Sequence, residues 1–251
     1  MVSYTYQTFP MKRAPLVVIW LFAIQILSMH VAYGQHHHKA KHHPKIKPSI
    51  FPALPKYAKR FEDFVPKGWK IKDTVTGDLN QDKAADIVMV LECRARFEEH
   101  RENTHPRILM VAFNAGNHYE LKLQHNTFIL RSREMYDADP YKDITIAKGS
   151  LYIHFDLLHD GGEDKLLYVI KYQLNDFYLI DASRASKSSG GYERSSDFNF
   201  STRKYIYKSS FPNGYSRAKR TKKKNLPPQV LKKLSELSEP LSWEVFDDEV
   251  I

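Results

Sequence analysis

The feature that most constrains this chain is the run Ile87-Val88-Met89-Val90-Leu91. These five apolar residues are entered directly from an oxygen-rich loop, Asp78-Leu79-Asn80-Gln81-Asp82-Lys83-Ala84-Ala85-Asp86. Successive side chains of a strand point to opposite faces, so a run without a polar member calls for cover on both. The flanking sequence keeps the period of two. Residues 108–113 form a second apolar run, Asn114-Ala115-Gly116-Asn117 has the chemistry of a turn, and Tyr119, Leu121 and Leu123 then alternate with His118, Glu120 and Lys122. Ile144 and Ile146 lead through Lys148-Gly149 to Leu151, Ile153 and Phe155, which alternate with Tyr152, His154 and Asp156. Residues 166–172 and 177–180 flank Leu174-Asn175-Asp176, and residues 198–202 and 205–207 form a last, weaker pair. Hairpins in succession predict a mostly all-β domain over residues 50–212, an antiparallel meander shaped like a propeller blade or a sandwich.

Two helices are expected beside it. Leu54, Tyr57, Ala58, Phe61, Phe64 and Val65 follow helical spacing between Pro55 and Pro66, which predicts a helix over residues 54–64. Val230, Leu231, Leu234 and Leu237 form a second stripe, closed by Pro240, which predicts a helical tail that docks on its own domain. Residues 93–107 read as a charged, loop-like insert, and residues 215–225 as a basic, mobile linker within a tail spanning 213–251.

The N-terminus reads as a targeting segment. Met11-Lys12-Arg13 supplies positive charge, an apolar stretch runs from Leu16 to Leu27, and Ala32-Tyr33-Gly34 places small residues at a cleavage site. Residues 1–34 are therefore expected to be a signal peptide starting at Met11. The apolar stretch is shorter than the roughly 20 residues that span a bilayer, so no transmembrane span is expected after cleavage, and the mature chain would be periplasmic or secreted. Residues 35–49 hold His36, His37, His38, His42 and His43 among lysines, with almost no apolar residue, and read as a disordered linker with weak affinity for transition metals. Cys93 is the single cysteine, so no intramolecular disulfide is available and the core must supply the stability. The formal charge is +9, concentrated before the β region and after it, at Arg217, Lys219, Arg220, Lys222, Lys223 and Lys224. Such flanks suit an anionic surface rather than a specific nucleic-acid site.

Asp78, Asn80, Asp82 and Asp86 stand at relative positions 1, 3, 5 and 9. That spacing folds carboxylate and amide oxygens around one point, as a hard cation requires. Gly77-Asp78-Leu79-Asn80-Gln81-Asp82-Lys83-Ala84-Ala85-Asp86-Ile87-Val88 resembles the calcium loop of FG-GAP (or VCBS) repeats, the blades of integrin-type β-propellers, which also occur in secreted bacterial proteins. The resemblance implies Ca²⁺ bound by the side chains of Asp78, Asn80, Asp82 and Asp86 and by the backbone carbonyl of Ala84. The family prefers glycine where this chain has Lys83; a left-handed conformation there costs a non-glycine residue about 1 kcal/mol. The chain carries one copy, whereas a closed propeller needs several, so a full propeller is not expected. Phe64-Val65-Pro66-Lys67-Gly68-Trp69 and Asp176-Phe177-Tyr178-Leu179-Ile180 resemble segments of secreted or periplasmic bacterial proteins that hold one such loop.

These features lead to an exported, non-enzymatic, calcium-stabilised binding or scaffold module for an envelope or extracellular ligand. The alternative is an envelope hydrolase in which His154 is a base oriented by Asp156, with His159 and Asp160 nearby.

Overall fold

The computed structural model describes residues 51–99, 102–132, 136, 138–213, 216–228, 231–246 and 249–251; the expected signal peptide and histidine tract lie outside them. In chain order the strands are β1 (Tyr57–Ala58), β2 (Trp69–Gly77), β3 (Asp86–Cys93), β4 (Phe97–Glu99), β5 (Glu102–Thr104), β6 (Arg107–Asn114), β7 (Tyr119–His125), β8 (Tyr141–Ala147), β9 (Ser150–His159), β10 (Gly162–Gln173), β11 (Asp176–Ser188), β12 (Glu193–Asn199), β13 (Lys204–Asn213), β14 (Ser216–Asn225), β15 (Glu244–Phe246) and β16 (Glu249–Val250). They form a five-stranded sheet, β1-β7-β6-β3-β2, and a seven-stranded meander, β14-β13-β12-β11-β10-β9-β8, with two small hairpins, β4-β5 and β15-β16. All the pairings are antiparallel, as the hairpin pattern predicts.

The central strands β3 and β6 divide their side chains between two cores. Val88, Val90, Leu109 and Val111 join Leu151, Ile153, Phe155, Tyr168 and Ile170 of the larger sheet. Ile87, Met89, Leu91, Ile108, Met110 and Ala112 turn the other way, onto Leu54, Ala58, Phe64 and Trp69. Every residue of β3 is buried, which is why its sequence lacks alternation. In the larger sheet one face is covered and one is wet. Leu151, Ile153, Phe155 and Leu157 are buried, while Tyr152, His154 and Asp156 are half-buried between them.

Neither expected helix forms. Residues 54–64 run as a strap across the five-stranded sheet. Tyr57 and Ala58 pair with Glu120 and Tyr119, and Leu121 N–H donates to Lys56 O at 2.9 Å. Only Phe61–Phe64 closes a 3-10 turn, held where the Asp63 carboxylate accepts from the Arg60 amide at 3.1 Å. Of the helically spaced residues Leu54, Ala58 and Phe64 are buried, Phe61 and Val65 are half-buried and Tyr57 is exposed; the backbone around Tyr57 bonds to the open edge of β7, which a helix would leave unpaired. The C-terminal stripe behaves alike. Leu234–Glu236 is a single 3-10 turn with Leu234 fully buried and Leu237 nearly so. Just before it, Leu179 N–H donates to Lys232 O at 2.9 Å, and Tyr178 bridges to Lys233, so this backbone is pinned extended along β11. Val230 lies outside the described residues.

Two further segments differ from expectation. The basic stretch read as a mobile linker is strand β14, in register with β13 from Asn213↔Ser216 to Lys204↔Asn225. The insert read as a loop contains the β4-β5 hairpin. Among the described residues no helix is long and apolar enough to cross a membrane.

Candidate functional site

The oxygen-rich loop joins β2 to β3 at the edge of the five-stranded sheet. Gly77 and Asp86 face each other across its mouth as the last pair of the ladder. Asp78 and Asn80 both turn their oxygens on the Asp82 amide, which donates to Asp78 Oδ1 and Asn80 Oδ1 at 3.1 Å each. Asp78 Oδ2 accepts from the Lys83 amide at 2.9 Å, Asp82 Oδ1 from the Ala84 amide at 2.7 Å, and Asp82 Oδ2 from the Asn80 amide group at 2.8 Å. Gln81 (φ +65°) and Lys83 (φ +74°) adopt the left-handed conformation, so Lys83 takes the shape that glycine takes without strain. The loop rests on the larger sheet: a Cβ on Gly149, in the β8–β9 turn, would lie 3.6 Å from Asp78 O.

Asp86 is set apart from the other three. It has no exposed surface, and its carboxylate accepts from the amides of Leu79 (2.9 Å), Asn80 (3.4 Å) and Asn114 (3.1 Å). Burial pushes its pKa up, against the pull of these three amides. Asp78, Asn80 and Asp82 thus converge at the surface, while Asp86 holds the loop to β6 from beneath. Its three amide bonds and its full burial suit Asp86 to bracing the loop, and its Oδ1 accepts from Asn114 alone. Asp78, Asp82 and the Asn80 carbonyl keep lone pairs that a cation can use. Among the described residues no three His, Cys, Asp or Glu side chains are gathered to hold a metal. A cation here would therefore depend on the Asn80 amide oxygen and a backbone carbonyl such as that of Ala84, which are oxygen donors suited to calcium.

The second sequence candidate is reassigned by its neighbours. His154 Nδ1 lies 2.6 Å from Asp143 Oδ1 on β8, whereas Asp156 pairs with Lys142 at 3.1 Å. The expected base and its expected orienting carboxylate share a face but are not partners. His159 and Asp160 are exposed at the β9–β10 turn.

Two groupings were not found from sequence. At one corner Arg107, 3% exposed, donates to Glu92 (3.0 and 2.8 Å), to both oxygens of Asp139 (2.8 and 2.6 Å) and to Leu130 O. Lys70 reaches Glu92 at 3.0 Å and Lys72 reaches Asp139 at 2.8 Å. Burial opposes the charge on Glu92 and Asp139, but the surrounding cations outweigh it and hold both carboxyls below their usual range. Glu92, which breaks the apolar run of β3 after Leu91, was the signal for this cluster. The other grouping is a shallow polar recess of about 60 Å³ lined by Arg184, Arg194, Ser196, Tyr207, Glu249 and Val250. Its members come from four strands, and nothing in the sequence brings them together.

Comparisons with protein-family models, with curated proteins and with solved structures returned no match to this chain.

Proposed function

We propose that this chain is an exported, non-enzymatic binding module whose Asp78–Asp86 loop is stabilised by calcium. The observation that supports the reading is the turning of Asp78 and Asn80 onto the Asp82 amide, with Lys83 in the left-handed shape that the FG-GAP-like loop requires. The ion would be held by Asp78, Asn80, Asp82 and the carbonyl of Ala84, with Asp86 as the internal prop. Its charge would offset the repulsion between Asp78 and Asp82 and fix the start of the central strand. Affinity in the extracellular range, about 10⁻⁴–10⁻³ M, suits a site with few carboxylates.

A calcium titration followed by thermal unfolding tests this. Millimolar calcium is expected to raise Tm, magnesium to do so less, Asp82→Ala to abolish the shift and Lys83→Gly to enlarge it. A Tm unchanged up to about 10 mM calcium, well above that affinity range, would reduce the loop to an Asx turn whose carboxylates cap amides. The hydrolase alternative would have to use Asp143 as the orienting carboxylate. His154 and Asp143 are 33% and 42% exposed in their side chains, on an open sheet face rather than in a water-excluding pocket. The module reading is preferred on that ground.

A further inference from the structure

The larger sheet is wider than the layers that cover it. The smaller sheet and the C-terminal segment bury the inner side of β8–β11 and the Phe198, Phe200 and Tyr205 end of β12 and β13. Past Tyr205 the same face of β12–β14 carries Arg194, Arg220 and Lys222, all exposed. The register sets these side chains in two rows across three strands: Arg194, Ser209 and Arg220 in one, Ser196, Tyr207 and Lys222 in the next. Neighbouring rows on one face are about 7 Å apart, so the cations repeat at the spacing of an extended chain. The recess opens at the inner end of these rows. There the Arg184 guanidinium is pinned by Asp164 at 2.7 Å and keeps its Nε buried without an acceptor. Glu249 borders the recess, but its carboxylate accepts from the hydroxyls of Ser196 (2.9 Å) and Tyr205 (2.6 Å).

We propose that this overhanging face of β12–β14 docks an acidic polysaccharide. The inference rests on reading the chain as a binding module and names the class of its ligand. Three arguments select that class. Arg194 donates to Ser186 at 3.3 Å and interacts with Asp164 only at longer range, while Arg220 and Lys222 are exposed beside it, so positive charge predominates on the face. It offers the hydroxyls of Tyr192 and Tyr207, 3.2 Å apart, and of Ser186 beside Arg194, which suit the hydroxyls of sugars. Two of its rings are capped by cations, Phe211 by Arg220 at 5.7 Å and Phe246 by Lys224 at 3.7 Å, which leaves Tyr192 and Tyr207 rather than a run of open rings for nucleic-acid bases to stack on. A lipid surface would draw in exposed apolar side chains, and here the large exposed one is Tyr192, at 37%. Lysines on an edge strand also deter edge-to-edge pairing. That role does not account for Arg194, which lies on the interior strand β12, or for the recess.

The test measures binding of the mature chain to hyaluronate and to dextran sulfate, against neutral dextran, oligothymidylate and phosphatidylglycerol vesicles. The acidic polysaccharides are expected to bind, with affinity falling as salt rises. The variant Arg194→Glu/Arg220→Glu/Lys222→Glu should lose at least about tenfold in affinity. Reversing Lys208, Lys219 and Lys223, which project from the opposite face of the same strands, should change it far less. Equal loss in the two variants, binding to neither acidic polysaccharide, or tighter binding to oligothymidylate or vesicles would each overturn the proposal. The calcium-dependent Tm shift is read on the same samples. A protein that calcium stabilises but that ignores both polysaccharides refutes the docking face and leaves the loop reading standing.

Discussion

Arg107 is the residue whose loss should be felt most. It is buried between Glu92 and Asp139, and removing it takes away the buried cation and leaves those carboxylates to the more exposed Lys70 and Lys72. Arg107→Ala is expected to cost about 3–5 kcal/mol in urea unfolding at neutral pH. Combining it with Glu92→Gln should cost less than the sum of the single changes, because the pair fails together. The cluster also sets the acid limb of stability. Glu92 and Asp139 have folded pKa values below their unfolded ones, so their contribution is complete above the ordinary carboxylate range and is lost as pH falls through the folded values. Arg107→Ala should flatten that limb. His125 works at higher pH. Its Nδ1 accepts from the Phe128 amide at 3.1 Å, so the proton sits on Nε2, which donates to Leu237 O at 2.8 Å and to Leu234 O at 3.1 Å. Burial lowers its pKa, only partly offset by these carbonyls, so its contribution is full above about 6.5 and declines as pH falls through its folded value. Below that range the segment around Leu234 and Leu237 is expected to become sensitive to protease, and His125→Ala should be sensitive already at neutral pH.

At the scale of elements, the two sheets meet where β2 passes β8. A Cβ on Gly77 would lie 2.6 Å from Ile146 Cγ2, so the absent side chain is what lets the strands approach. Close by, Tyr141 donates its hydroxyl to Asp73 at 2.6 Å and ties the same two strands. Gly77→Ala should destabilise the fold by about 1–3 kcal/mol through overpacking. Ile146→Ala in the same chain should recover part of that loss, a rescue measurable by chemical unfolding. The strap and the C-terminal segment show why apolar spacing misled at this scale. Leu54, Ala58 and Phe64, like Leu234 and Leu237, are buried as a helical stripe would bury them. Their spacing records which residues need cover. It does not record where their backbone bonds go, and here edge strands supplied those partners.

At the scale of the molecule, export is the expectation that joins the chain to its proposed ligand. Sequencing the mature N-terminus from a native host should find cleavage near Gly34, with the protein recovered outside the cytoplasm. The sequence by itself determined the antiparallel β class, the strands from 69 to 180 apart from the β4-β5 hairpin, and the cover on both faces of β3. Those properties follow from period-two alternation and turn residues, which act over a few neighbours. It also marked the loop at Asp78–Asp86, because that spacing is local. Only the tertiary structure decided that Asp86 turns inward to the Asn114 amide of β6 and two amides of its own loop, that His154 takes Asp143 instead of Asp156, and that Arg107 gathers Glu92 and Asp139. It also made a strand of the lysine-rich segment 216–225, whose own composition favours solvent, because β13 offered a row of unpaired backbone groups. Each of these outcomes depends on partners distant in the chain, and burial and hydrogen-bond completion select such partners only once the sheets have formed.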